Sequence, residues 1–232
     1  MRSFRLARPV GRVMLPKWDL QVVLNGLCQP PFTSSEGSDD VLDLKWRTLK
    51  SVFLISLATA RRRSLIYALS ASTHHIVWNR GTVQGQKMVR LLPQAGFMAK
   101  NQLPTQAPQW ITIPGIDHLN PHEPEKLLCP VRQLRLYLRD TKDLRGGRNR
   151  LFLHWDHSVR DISQKHISRW IVLAVKKTYQ MAGLNFGPNV TAHEVRAIAT
   201  SWAYYNQVSL PDIMAATFWR SPGVFQNSYC VI

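Results

Sequence analysis

Apolar residues recur at every third or fourth position over much of this chain, and between those stretches they come in short β-prone runs. The run from Leu20 to Leu27 reads as a short helix. Leu49, Phe53, Leu54 and Leu57 keep helical spacing and predict a buried helix over residues 44–60. A second short helix, residues 64–69, follows the arginine triplet at 61–63. The texture then changes. Between residues 74 and 113 the runs 75–78, 88–92 and 109–113 are separated by Gly and Pro, as in a small antiparallel sheet. Pro130 is tolerated at a first helical position and opens a helix with Val131, Leu134 and Leu138 on one face, after which comes the loop 145–148. Ile167, Trp170, Ile171, Ala174, Val175 and Thr178 mark a strongly periodic helix closed by Gly183. Thr191 and Glu194 form a capping box that starts the next helix. Ser209 with Asp212 starts another, and Ser221-Pro222 a last short one carrying Phe225 and Tyr229. The predicted fold class is mixed α/β, mainly helical, with a small antiparallel sheet inserted early.

Pro, Gly and Ser crowd residues 1–40, which read as an N-terminal extension and linker, with the folded body over 41–232. Arg2, Arg5, Arg8 and Arg12 superficially resemble a transit peptide, but Trp18-Asp-Leu20 reads as the start of folded structure. A hydrophobic share of 45% is that of a chain with a real core. No apolar run approaches the ~18 residues that cross a bilayer, so no membrane partner is expected. The chain has 30 Lys and Arg against 14 Asp and Glu, a formal charge of +16. That excess favours a polyanionic partner, because each neutralised phosphate releases condensed counterions. Cys28, Cys129 and Cys230 are scattered without metal-ligand spacing, which fits a reducing compartment and argues against a zinc site or a disulfide framework.

Against that background a few residues carry chemistry. His193 and Arg196 are three apart at a capped helix start, so they share a face beside spare backbone N–H groups, an arrangement suited to an anion. Taken alone, an H-x-x-R pair is as well explained by a helix-start His and a solvated Arg. Trp219 and Tyr229 taken singly are ordinary packing aromatics, and Lys100 alone is uninformative. One arginine of the triplet turned inward would need an anionic partner.

Order along the chain makes these signals reinforce one another: Arg, a lysine from a sheet, His-x-x-Arg, an aromatic, then Tyr. The stretch from about Pro16 to Tyr229 resembles the tyrosine recombinases (phage-integrase family), and within them the recombinases of DIRS-like retrotransposons. The carriers are Leu15-Pro-Lys-Trp-Asp-Leu20, Ala58-Thr-Ala-Arg-Arg-Arg-Ser64 with Ala68-Leu69-Ser70, and Phe97-Met-Ala-Lys100-Asn101. They continue through Ala192-His-Glu-Val-Arg-Ala-Ile-Ala-Thr-Ser-Trp-Ala203, Phe218-Trp-Arg-Ser-Pro222 and Phe225-Gln-Asn-Ser-Tyr229.

The resemblance implies a recombinase catalytic domain over residues 41–232, with residues 1–40 a remnant of a core-binding region. It implies that Arg62 is the first catalytic arginine, with Arg61 or Arg63 as alternatives in a shifted register. Lys100 would protonate the leaving 5′-oxygen. His193 and Arg196 match the His-x-x-Arg pair, Trp219 the position held by His or Trp, and Tyr229 the nucleophile. Those types suit the chemistry: arginines fork onto phosphate oxygens, while His and Lys move protons to and from the attacking and leaving oxygens. The implied partners are double-stranded DNA and other copies of the chain on that DNA, with no small-molecule substrate, cofactor or metal, and a nuclear location. Two departures stand out. The family's acidic position three after the first arginine is Leu65 here, and residues 1–40 are short for a DNA clamp. A DNA-binding remnant that cannot cut, or a type IB topoisomerase-like relaxing enzyme, would use the same residues.

Overall fold

The structure, a computed structural model, describes residues 17–33, 43–81, 85–99, 108–119, 125–156, 161–187 and 190–219. Its elements in chain order are α1 (Leu20–Leu27), α2 (Leu44–Thr59), α3 (Arg63–Ala68), β1 (Ile76–Arg80), β2 (Lys87–Leu91) and β3 (Ile111–Pro114). They are followed by α4 (Glu125–Leu128), α5 (Pro130–Asp140), α6 (Gln164–Met181), α7 (Ala192–Tyr205) and α8 (Leu210–Thr217). The fold is mixed α/β with helices dominant and a small antiparallel sheet of order β1-β2-β3. Helix α4, a single turn without a buried side chain, has no periodic signature and was not anticipated. The last predicted helix, with Phe225 and Tyr229, lies outside the described residues.

Helix α2 is the centre of the molecule and packs against α5, α6 and α7. A helix surrounded on most sides needs partners for the polar groups it buries. Most are supplied locally: the Thr48, Ser51 and Thr59 hydroxyls donate back to the carbonyls of Leu44, Arg47 and Ile55, whereas the Ser56 hydroxyl is buried without a hydrogen-bond partner among the described residues. Gln133 of α5 donates its amide to the Ser51 hydroxyl at 3.3 Å, and Arg47 pairs with Asp140 at 2.8 Å. The sheet lies beside this helix, with β3 against α2 and α5. Ile113 sits opposite Val89 and Ile111 opposite Leu91, so the alternating apolar positions of both strands face the core.

The described part of the expected N-terminal extension is not detached. Trp18, Val23, Leu27 and Phe32 are buried in the same core as α2 and α6. At Gly26 the α1 backbone comes so close to α6 that an added Cβ would lie 2.6 Å from Thr178 Cβ. Lys50, buried within α2, donates from Nζ to the carbonyl of Leu27 at 2.7 Å, and the Asp19 N–H donates to the Tyr179 hydroxyl at 2.5 Å. A boundary near residue 40 therefore does not separate residues 17–33 from the body. A few apolar residues cannot form a core alone, but here they complete one supplied by α2 and α6.

Candidate functional site

Two helix ends bring the arginines together. At the end of α2, Ala60 adopts the left-handed conformation (φ 47°) and its N–H caps the Ser56 carbonyl, so the chain turns sharply before the triplet. Arg61 goes inward and is 8% exposed. Arg62 is the N-cap residue of α3 and half-buried, whereas Arg63 is exposed and donates to Ser168 Oγ on α6 at 3.2 Å. The expectation had centred on Arg62. Both Arg61 and Arg62 line the cavity described below, but Arg61 is the one driven into the interior toward Arg196.

At the start of α7 the predicted capping box is present, with the Thr191 N–H donating to the Glu194 side chain at 2.9 Å. It fixes where the helix begins and therefore the direction in which each side chain leaves. His193 emerges at the exposed edge, while Arg196, one turn on, is 3% exposed. Arg196 Nη2 donates to the carbonyl of Thr217 at 3.0 Å, and its guanidinium lies 4.7 Å from the Trp219 ring. Trp219 is itself buried, in a small cluster with Ala197 of α7 and Ile213 of α8. Its ring is a platform against which the Arg196 guanidinium rests.

The Arg61 guanidinium stacks on Phe218 at 3.2 Å from the ring centroid, and Phe218 holds a left-handed conformation (φ 57°) at the end of α8. Among the described residues, Arg61 Nε and Nη1 are buried without a hydrogen-bond partner. Arg61, Arg62, Ser64, Leu65, Arg196 and Phe218 line a cavity of about 40 Å³, and among the described residues no carboxylate lies in its wall. Burial, and then the charge of Arg196, push the Arg61 pKa down to about 9. Desolvation lowers the His193 pKa below 6.5, and the charges of Arg196, Arg62 and Arg63 lower it further, against the opposing pull of Glu194. A histidine so placed is neutral near pH 7 and able to accept a proton.

The chain thus assembles a cationic recess from segments more than a hundred residues apart, and His193 lies close enough to feel the charges of Arg62 and Arg196. Ala99 also lines the recess, so the segment leading to Lys100 reaches it. Lys100 and Tyr229 themselves lie outside the described residues. Leu65, in the place where the resemblance leads one to expect an acid, is a buried apolar wall of the recess. Two participants were not anticipated from sequence, Thr217 as the carbonyl anchor of Arg196 and Phe218 as the cover of Arg61. Neither bears a chemical signature, and only the turn after α8 brings them in. No protein-family model matches the chain, and no curated protein matches it significantly.

Proposed function

We propose that the chain is the catalytic domain of a DNA tyrosine recombinase, which cuts and rejoins a DNA strand through a 3′-phosphotyrosine. The observation that carries this reading is the convergence of Arg61 and Arg196 in one buried recess where no carboxylate stands among the described residues. Two permanently charged forks that repel each other are stabilised by an anion between them, and a scissile phosphate is such an anion. In this scheme Arg61, with Arg62 beside it, and Arg196 neutralise the non-bridging oxygens as charge develops. Tyr229 attacks phosphorus in line, His193 accepts the phenolic proton, and Lys100 protonates the departing 5′-oxygen. Trp219 keeps Arg196 aimed. The energy of the broken phosphodiester stays in the phosphotyrosine and drives religation. Partners in this scheme are double-stranded DNA and further copies of the chain on it, in the nucleus.

The recess of about 40 Å³ has the room of roughly one water molecule. A phosphate therefore enters only if the Phe218 ring lifts from Arg61. With Leu65 in the wall, this closed state also favours a second reading, a DNA-binding protein that does not cut. One experiment separates them. The full chain is incubated with a nicked suicide DNA duplex, and covalent adduct and DNA binding are measured on the same preparation. An adduct that disappears in Tyr229→Phe is expected. Binding without adduct would favour the second reading, and an adduct surviving Tyr229→Phe would remove the nucleophile assignment.

A further inference from the structure

A larger cavity, of about 530 Å³, lies at the opposite end of α2 from the arginine recess. Its size falls within the ~300–1,000 Å³ range of small-molecule sites. One wall is aromatic. Trp155 packs against Trp170 at 5.0 Å and against His154 at 4.9 Å, so its ring is held in place while half-exposed. Across from α6, Trp46 of α2 presents its ring, with Lys45 at 4.6 Å and Lys177 at 5.7 Å from the centroid. The lining is also cationic: Lys45, Arg169, Lys176 and Lys177 all line the cavity, and among the described residues no carboxylate does. None of these four has an ion-pair partner among the described residues. Asp156, beside the cavity, is taken by His154 Nδ1 at 2.8 Å.

These features select a ligand by elimination. A simple anion would satisfy the cations and leave Trp155, and the part of Trp46 that Lys45 and Lys177 do not cover, without a ligand. A neutral aromatic molecule would stack and leave Arg169 and Lys176 without an anion. Duplex DNA keeps its bases stacked inside the helix and cannot fill a concavity of this size. A flat ring joined to a phosphate meets both kinds of side chain at once, the ring on tryptophan and the phosphate on Lys and Arg.

We infer that this cavity is a nucleotide-binding site, taking the base against Trp46 and Trp155 and the phosphate on Lys176, Lys177 and their cationic neighbours. It is independent of the proposed strand-cutting site. The two cavities share no lining residue, and Trp46 and Thr59, the last residue of α2 before the arginine triplet, lie about 20 Å apart at ~1.5 Å rise per residue. The nucleotide has two sources, a free mononucleotide or one unit of a single-stranded nucleic acid.

Calorimetric titration of the whole chain with adenosine monophosphate, adenosine, inorganic phosphate and a short oligothymidylate tests this. The nucleotide is expected to bind at least about tenfold more tightly than adenosine or phosphate alone, because each half-ligand meets one kind of side chain. Trp46→Ala, Trp155→Ala and the double change Lys176→Ala with Lys177→Ala should each weaken it by about tenfold, and Trp46→Phe by much less. An oligothymidylate that binds more tightly than the mononucleotide and is weakened by the same variants identifies a single strand as the source. One that binds no more tightly identifies the free nucleotide. Thermal melting checks that each variant is folded. If Trp46→Ala unfolds the chain, Trp155→Ala and the lysine pair decide. Absence of binding by both probes, or binding that no folded variant weakens, overturns the inference.

Discussion

Arg61 carries its charge into a recess that offers no carboxylate among the described residues, and its energetics are those of a cation waiting for a partner. Stacking on Phe218 returns about 0.5–2 kcal/mol. The loss of hydration costs several kcal/mol, and the facing Arg196 adds repulsion. The sign of the pKa shift agrees. A folded-state value of about 9, well below that of the unfolded chain, means the penalty is fully present at pH 7 and is relieved only as pH rises past about 9. Arg61→Met should therefore stabilise the ligand-free protein by on the order of 1 kcal/mol, raising its melting temperature by a few degrees, while weakening DNA binding. Arg62→Met, at a half-buried position, should shift melting much less. Calorimetry and a DNA-binding isotherm on both variants check this. A lower melting temperature for Arg61→Met with unchanged DNA affinity would make Arg61 a structural residue. The choice between the two arginines was not legible in the sequence. Arg61 stands four and seven residues before the buried Leu65 and Ala68, and Arg62 stands likewise before Ile66 and Leu69. What decides is the left-handed Ala60, and an alanine gives no warning of a helix stop as a glycine would. His193 and Arg196 were legible for the opposite reason, since the Thr191 capping box fixes the start of α7 and hence the face of each.

Among the elements, α1 shows where local pattern ends and packing begins. Its bounds, Leu20–Leu27, are those the apolar run predicts, because Asp19 caps it by accepting from the Gln21 N–H at 2.7 Å. Its attachment to α6 was not readable, because it depends on a glycine whose spacing looks like a helix defect. Propensity alone predicts that Gly26→Ala stabilises α1 by up to ~1 kcal/mol. The contact predicts the reverse. The new Cβ would stand 2.6 Å from Thr178 Cβ and 3.1 Å from its Cα, so one helix must move. Gly26→Ala should destabilise the protein by about 1–3 kcal/mol, measured by denaturant unfolding. Because the two mechanisms differ in sign, a stabilised Gly26→Ala would show that α1 does not pack on α6 as described. The strands needed no such tertiary information. Alternation in Ile111 to Pro114 put Ile111 and Ile113 inward, and the pairing with β2 set them against Leu91 and Val89.

At the scale of the whole molecule the governing quantity is the charge of +16, and the question is whether it acts through particular places or as a diffuse field. The fold gathers cations at both ends of α2, in the arginine recess and in the aromatic cavity, and among the described residues no carboxylate lines either. A diffuse field would make every neutralised surface cation equivalent. A phosphate track through the triplet would not. The logarithm of DNA affinity should fall linearly with the logarithm of salt, with a slope of about 0.9 per phosphate contacted. Changing Arg62→Gln and Arg63→Gln together should reduce that slope by about two, one contact for each arginine. Lys142→Gln removes charge from an exposed turn after α5 that lines neither cavity, and should leave the slope unchanged. Fluorescence anisotropy of a labelled duplex across a salt series measures all three proteins. Equal losses of slope per removed charge would show that DNA meets only the average field of the chain. The triplet would then be a solvated charge run, and the recess built around Arg61 and Arg196 would need a different anion to explain it.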